Sequence, residues 1–278
     1  MIFLNANQPN PLTYLGIPLD RPRVAFFELT SCEGCQLQIV NNESGLLDFL
    51  SLVTVADFRE AMTERSDEYD IAFVEGCVTR DDEVDRLKLI RARAKVLVAF
   101  GSCACFGGVN QMKNRFSTSW VTRQVYGDHY IETARARSLK DIVKVDLSIF
   151  GCPVKKEEVE RIVTNLVLGR TIVQPKHPVC MECKANENVC LFDLGEACLG
   201  PVTRAGCDAW CPNNRRGCWG CRGPAEDANV DQMIAIMEER GFPIEAIMDR
   251  LECFGGFVDV TERLRRRIAR EKKEQEAA

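Results

Sequence analysis

At 278 residues, 46% of them hydrophobic, the chain is long and apolar enough to bury a core of ordinary size, and it is not a disordered polymer. A net charge of −5 removes the basic footprint on which non-specific nucleic-acid binding depends. No run of about 20 apolar residues offers a membrane span. Fifteen cysteines stand against two histidines. No secretory or twin-arginine signal opens the sequence, so reduced thiols serving metal are expected in place of disulfides, in a cytoplasmic protein.

Residues 1–22 carry Pro9, Pro11, Pro18 and Pro22 among polar residues and read as an irregular arm. From residue 23 to 174 strands alternate with helices. The apolar run Val24 to Leu29 reads as a buried strand and ends at Thr30-Ser31-Cys32-Glu33-Gly34-Cys35. Two thiols so spaced, in a turn containing Gly34, can aim at one metal centre. Gln36 to Phe49 has helical spacing, and Leu52 to Phe58 reads as a second strand. The layout then recurs. Asp70 to Val74 ends at Glu75-Gly76-Cys77, Lys95 to Phe100 at Gly101-Ser102-Cys103, and the run 143–150 at Gly151-Cys152-Pro153. Asp82 to Ala94 and Lys155 to Leu168 are amphipathic helices. The alternation predicts an α/β fold, a doubly wound parallel sheet of flavodoxin-like size. In such sheets ligands gather beyond the carboxyl ends of the strands. Cys32, Cys35, Cys103 and Cys152 are therefore expected to converge, and four converging thiolates describe a [4Fe–4S] or a zinc site. Residues 104–142 offer loop signals at Phe106-Gly107-Gly108 and Tyr126-Gly127 and no assignable element.

After Gly169 the composition changes. Between Pro175 and Pro224 there are eight cysteines among Gly and Pro, with no helical or strand periodicity. Asp231 to Arg240 and Pro243 to Cys253 read as short helices that complete a small irregular domain, 175–260. Residues 261–278 read as a charged helical tail. The eight thiols are Cys180-x2-Cys183, Cys190, Cys198, Cys207, Cys211 and Cys218-x2-Cys221, two groups of four with one Cys-x2-Cys pair each. With the four at the strand ends they make three four-thiolate sites. Cys77, Cys105 and Cys253 are left over and read as small buried hydrophobes. Such a segment has little apolar content, so bound metal is expected to order it.

Zinc is the plain alternative at each site. Against it, Cys190-x7-Cys198 and Cys207-x3-Cys211 do not make compact zinc knuckles, and three sites in one chain suit the passage of electrons, which zinc cannot carry. Other chemistry lacks support. There is no G-x-G-x-x-G and no phosphate-binding loop. Two histidines are too few for a mononuclear hydrolase or a Ser/His triad, and His177, just before Cys180, reads as a polar loop residue. Beside the first site, Glu33 is expected to bond backbone amides of the turn. Glu75 is open between that role and a proton-relay or partner-contact carboxylate.

Taken together, Leu29-Thr30-Ser31-Cys32-Glu33-Gly34-Cys35-Gln36, Val74-Glu75-Gly76, Gly101-Ser102-Cys103-Ala104 and Gly151-Cys152-Pro153 resemble the small subunit of [NiFe] hydrogenases. Pro178-Val179-Cys180-Met181-Glu182-Cys183, the stretch from Cys198 to Cys207, and Gly220-Cys221-Arg222-Gly223-Pro224 look like its cytoplasmic branch. That branch includes the sulfhydrogenase delta subunit and the small subunit of methyl-viologen-reducing hydrogenase. The resemblance runs from about Arg23 to Pro224. It implies three [4Fe–4S] clusters: a proximal one on Cys32, Cys35, Cys103 and Cys152, a distal one on Cys180, Cys183, Cys190 and Cys198, and a medial one on Cys207, Cys211, Cys218 and Cys221. It also implies a large-subunit partner that holds the nickel–iron site, and a further electron-transfer subunit, a flavin or iron–sulfur protein. Exported relatives use a histidine where this chain has Cys180. Respiratory relatives offer three medial cysteines and a [3Fe–4S] cluster, whereas Cys211 supplies a fourth here. Two other readings stay open: the small subunit of a complex I-like quinone oxidoreductase, whose first motif has two adjacent cysteines, and a zinc-binding scaffold or interaction module.

Overall fold

The computed structural model describes residues 13–14, 17–18, 21–129 and 131–276. Its elements in chain order begin with β1 (Thr13–Tyr14), β2 (Ile17–Pro18), β3 (Arg23–Glu28), α1 (Gly34–Val40), α2 (Leu46–Leu52), β4 (Thr54–Phe58) and β5 (Ile71–Glu75). There follow α3 (Asp81–Arg93), β6 (Val96–Phe100), α4 (Gly101–Phe106), α5 (Thr118–Tyr126), β7 (Leu147–Ile149) and α6 (Lys156–Val167). The C-terminal part holds α7 (Val179–Ala185), α8 (Trp210–Asn213), α9 (Val230–Glu239), α10 (Ile244–Glu252) and α11 (Val258–Glu276).

The β-branched and aromatic runs of the N-terminal half pair into one five-stranded sheet, ordered β4-β3-β5-β6-β7 and parallel throughout. This is the flavodoxin-like order, with its topological switch between β3 and β5. Side chains alternate across each strand, so the sheet buries both faces. Val24, Phe26 and Phe73 point to the side covered by α1, α2 and α6, against Ile39, Phe49, Val159 and Ile162. Phe26 there packs on Phe58 and Phe73 at centroid distances of 4.5 and 4.9 Å. Ala25, Phe27, Ala72 and Val74 point to the other side, against Leu87 and Ile90 of α3 and against Leu139.

Local departures from the sequence reading have local causes. The helix expected over 36–49 is two helices, because Asn41, Asn42 and Gly45 favour a turn over a continued helix. The last strand is shortened to Leu147–Ile149, with Asp146 turned back to accept the Leu97 amide at 2.9 Å. Within the arm, Thr13–Tyr14 pairs with Ile17–Pro18, and Ile17 is fully buried against the sheet; most of the remaining arm lies outside the described residues. The span 104–142 holds 3-10 turns at Gly108–Arg115 and Leu139–Asp141 and the surface helix α5, none of whose residues is buried. In the C-terminal part, α9, α10 and α11 close a second core with Leu199 and Val202 from the cysteine-rich segment. The first turns of the charged tail join it through Leu264.

One ion pair ties the cysteine-rich segment to the sheet. Arg222 donates to both oxygens of Glu158 on α6 at 2.9 Å, and the two side chains are 1% and 2% exposed. Arg222 also donates to the carbonyls of Phe150 and Ala205, at 2.5 and 2.8 Å. Burial works against the guanidinium charge, but Glu158 outweighs it and the Arg222 pKa is raised. Removing one partner strands the other charge in the interior. Glu158→Ala is therefore expected to destabilise the chain by about 3–5 kcal/mol, read as a lowered midpoint in chemical denaturation. An unchanged midpoint would mean that the pair does not hold the two parts together.

Candidate metal centre

Beyond the carboxyl ends of β3, β6 and β7, the structure brings Cys32, Cys35, Cys103 and Cys152 together. Cys103 and Cys152 lie within electrostatic reach of each other, and each is within reach of Cys32; Cys35 is within reach of both. Cys32 and Cys152 are exposed, whereas Cys35 is buried. Two glycines make this approach possible. A Cβ on Gly101 (φ 89°) would overlap the Cys35 sulfur, and one on Gly108 (φ 58°) would overlap the Cys103 sulfur.

Glu75, at the end of β5, is 2% exposed and accepts the Cys35 and Gln36 amides at 3.1 and 3.0 Å. It thereby fixes the first turn of α1, so the amide-bonding alternative describes Glu75. Burial raises its pKa, and the two amides oppose that rise. Glu33 departs from expectation, because Glu75 occupies the amides it was expected to bond. Its backbone is left-handed (φ 60°) and its carboxyl faces Glu60; burial and then that neighbour raise its pKa.

The later thiols fall into neighbourhoods. Cys180, on α7, is within reach of Cys198, Cys183 and Cys190, and a Cβ on Gly200 would stand 3.3 and 3.4 Å from the sulfurs of Cys198 and Cys180. Cys207 is a neighbour of both Cys211 and Cys221, and Cys221 of Cys218. The two neighbourhoods touch, because the Cys218 amide donates to the Cys198 sulfur at 3.2 Å. Glu182 binds them further, accepting the Gly206 and Ala209 amides at 2.7 and 3.1 Å. Sequence reading passed over Glu182; its position between Cys180 and Cys183 was the available signal. The buried cluster within this segment is Val179, Cys183, Leu191, Cys198, Ala209 and Cys218, half of it cysteine, which fits metal in the place of a larger apolar core.

His177 is exposed and stands apart, its carbonyl accepting the Ala205 amide. Of the leftover cysteines, Cys77 and Cys105 are buried, the latter bonded through sulfur to the carbonyls of Ala99 and Ile149. Cys253 is half-buried near Cys152.

The donor set is thus wholly thiol, partly buried and arranged on glycine-lined turns, which fits thiolate-bound metal. A protein-family model described as "NADH ubiquinone oxidoreductase, 20 Kd subunit" matches residues 32–166, the part bearing the first four thiols. The sulfhydrogenase 2 subunit delta of Pyrococcus furiosus is 37% identical over 84% of this chain and 98% of its own length. The chain belongs to the small-subunit family of [NiFe] hydrogenases. It is accordingly an oxidoreductase subunit of the sulfhydrogenase delta type. A subunit of an F420-non-reducing hydrogenase of Methanococcus voltae is 29% identical over 77% of this chain and 85% of its own. Among solved structures, a chain of an NAD+-reducing [NiFe]-hydrogenase superposes with a TM-score of 0.51 at 27% identity, covering 56% of this chain and 96% of that one. Among the described residues, no helix is long and apolar enough to cross a membrane.

Burial pushes the thiols of Cys103, Cys152, Cys180 and Cys221 up to about 12 from an ordinary 9.0. Metal must displace those protons, so iron loading at neutral pH should release protons and weaken on acidification. For the metal-free chain the sign is fixed as well. The folded sheet domain holds the Cys103 and Cys152 protons above the unfolded pKa, so the stability those two thiols contribute is complete below pH 9.0 and is lost as the pH rises toward about 12. Denaturation of the metal-free chain at stepped alkaline pH checks this, and flat stability across that window would contradict it.

Proposed function

We propose that this chain is the electron-relay subunit of a [NiFe] hydrogenase. It carries three [4Fe–4S] clusters between the nickel–iron site of a large subunit and a further redox subunit, a flavin or iron–sulfur protein. Bound to these thiols, the clusters supply one-electron chemistry. The observation that carries the reading is the spatial order of the thiol groups. Cys32 and Cys152 open the first group to the surface, where a partner docks. Cys221 lies beside Cys152, and Cys218 touches Cys198 through its amide. The group Cys207, Cys211, Cys218 and Cys221 therefore stands in the middle, and Cys180, Cys183, Cys190 and Cys198 at the far end.

The cysteine spacing favours clusters over single zinc ions: Cys190-x7-Cys198 and Cys207-x3-Cys211 do not make compact zinc knuckles, and three sites in one chain suit the passage of single electrons, which zinc cannot carry. The complex I-like reading shares the first site, but Glu33-Gly34 separates the first two cysteines and eight further thiols follow Cys152 in two neighbourhoods.

Cys211 supplies the fourth middle thiolate in this reading, and a corner iron without a protein thiolate is the one most easily lost. Electron paramagnetic resonance of the oxidised protein should show no stoichiometric [3Fe–4S] signal in wild type, and Cys211→Ser should create one. A stoichiometric [3Fe–4S] signal in intact wild type would overturn the assignment.

A further inference from the structure

The seam between the sheet and the cysteine-rich segment is crossed by hydrogen bonds that converge on Cys221 and Arg222. Ser102, 1% exposed, lies directly before Cys103 and donates its hydroxyl to the Cys221 carbonyl. Its own amide donates to the Gly151 carbonyl at 2.8 Å, one residue before Cys152. From the same side, Arg222 reaches the Phe150 carbonyl at 2.5 Å. Cys152 and Cys221 lie within electrostatic reach of each other. Two candidate ligands of the first site are thus linked to one candidate ligand of the middle site.

We propose that Ser102 is a positioning residue that couples the first and middle metal sites. This rests on the three-site relay proposed above. Electron tunnelling falls off exponentially with separation, more steeply across a van der Waals gap than along bonds. From Cys103 the route runs through the Ser102 backbone and side chain, across one hydrogen bond, and through Cys221 to its sulfur. The Ser102 hydroxyl replaces what would otherwise be a through-space gap on that route. It also satisfies a carbonyl in the seam and so fixes the spacing of the two turns. The step itself is a single-electron exchange. The first site is oxidised by one electron, the middle site is reduced by one, and no atom is transferred.

The test uses the full chain in its complex, reduced with dithionite. Reduced neighbouring clusters interact magnetically, and the splitting of their paramagnetic resonance signals reads the coupling apart from any hydrogen turnover. Ser102→Ala should keep the full iron complement and the integrated signal of each cluster. Its splitting should narrow, and, in a separate sample of oxidised complex mixed with hydrogen and freeze-quenched, transfer from first to middle site should slow several-fold. Ser102→Thr, which keeps the hydroxyl, should restore both. Wild-type splitting and transfer in a fully loaded Ser102→Ala chain would overturn the proposal. So would loss of the middle cluster in that variant, which assigns Ser102 to assembly alone, or a fully loaded Ser102→Thr chain that behaves like the alanine variant. Failure of the underlying relay reading shows separately, as a wild-type protein without a magnetically coupled pair.

Discussion

Arg222 is a full positive charge almost sealed from water, and it stays charged because Glu158 meets it with both oxygens at 2.9 Å. A pair of this kind adds little net stability over well-packed apolar residues, but losing one partner is costly. Its effect here is on register. Glu158 stands on the helix that follows Cys152, and Arg222 directly follows Cys221. The pair therefore brings a segment with little apolar core of its own against the sheet edge that carries the first thiols. The bonds from Ser102 and Arg222 to neighbouring carbonyls extend the same contact. Gly206 leaves the room the guanidinium needs, since a Cβ there would overlap it.

The sheet solves a different problem. Parallel strands end on one side, and turns at that end present side chains to a shared crevice. Cysteines far apart in sequence meet there because β3, β6 and β7 deliver them to it. Glu75, arriving on β5 between them, holds the Cys35 amide and so the direction of α1. The second half has no such scaffold. Its thiols gather through short helices, turns and the Glu182 carboxylate, and the core formed by α9, α10 and α11 supports it from behind.

Much of this was legible in the sequence, for reasons that differ by region. The strands were readable because Val24 to Phe27, Ile71 to Val74 and Val96 to Phe100 are buried on both faces and therefore continuously apolar. The first thiol group followed from strand ends alone. Span 104–142 was not legible because α5 buries none of its residues, so no periodicity marks it. The role of Glu33 was misread because Glu75, 42 residues further along the chain, occupies the amides in question; only the fold shows that competition. Arg222 looked like one more residue of a glycine-rich motif, and nothing local announces Glu158 as its partner. Cys-x2-Cys spacing also left zinc open, and the kinship with hydrogenase subunits, which no local spacing announces, is what favours iron–sulfur.

The central claim is that these thiols hold iron for electron passage. Metal and sulfide analysis of the full-length chain, purified without oxygen, tests it most directly. About twelve irons with matching sulfide, four for each of three sites, and broad brown absorption are the predicted result. Stoichiometric zinc with no sulfide and no visible absorption would contradict it.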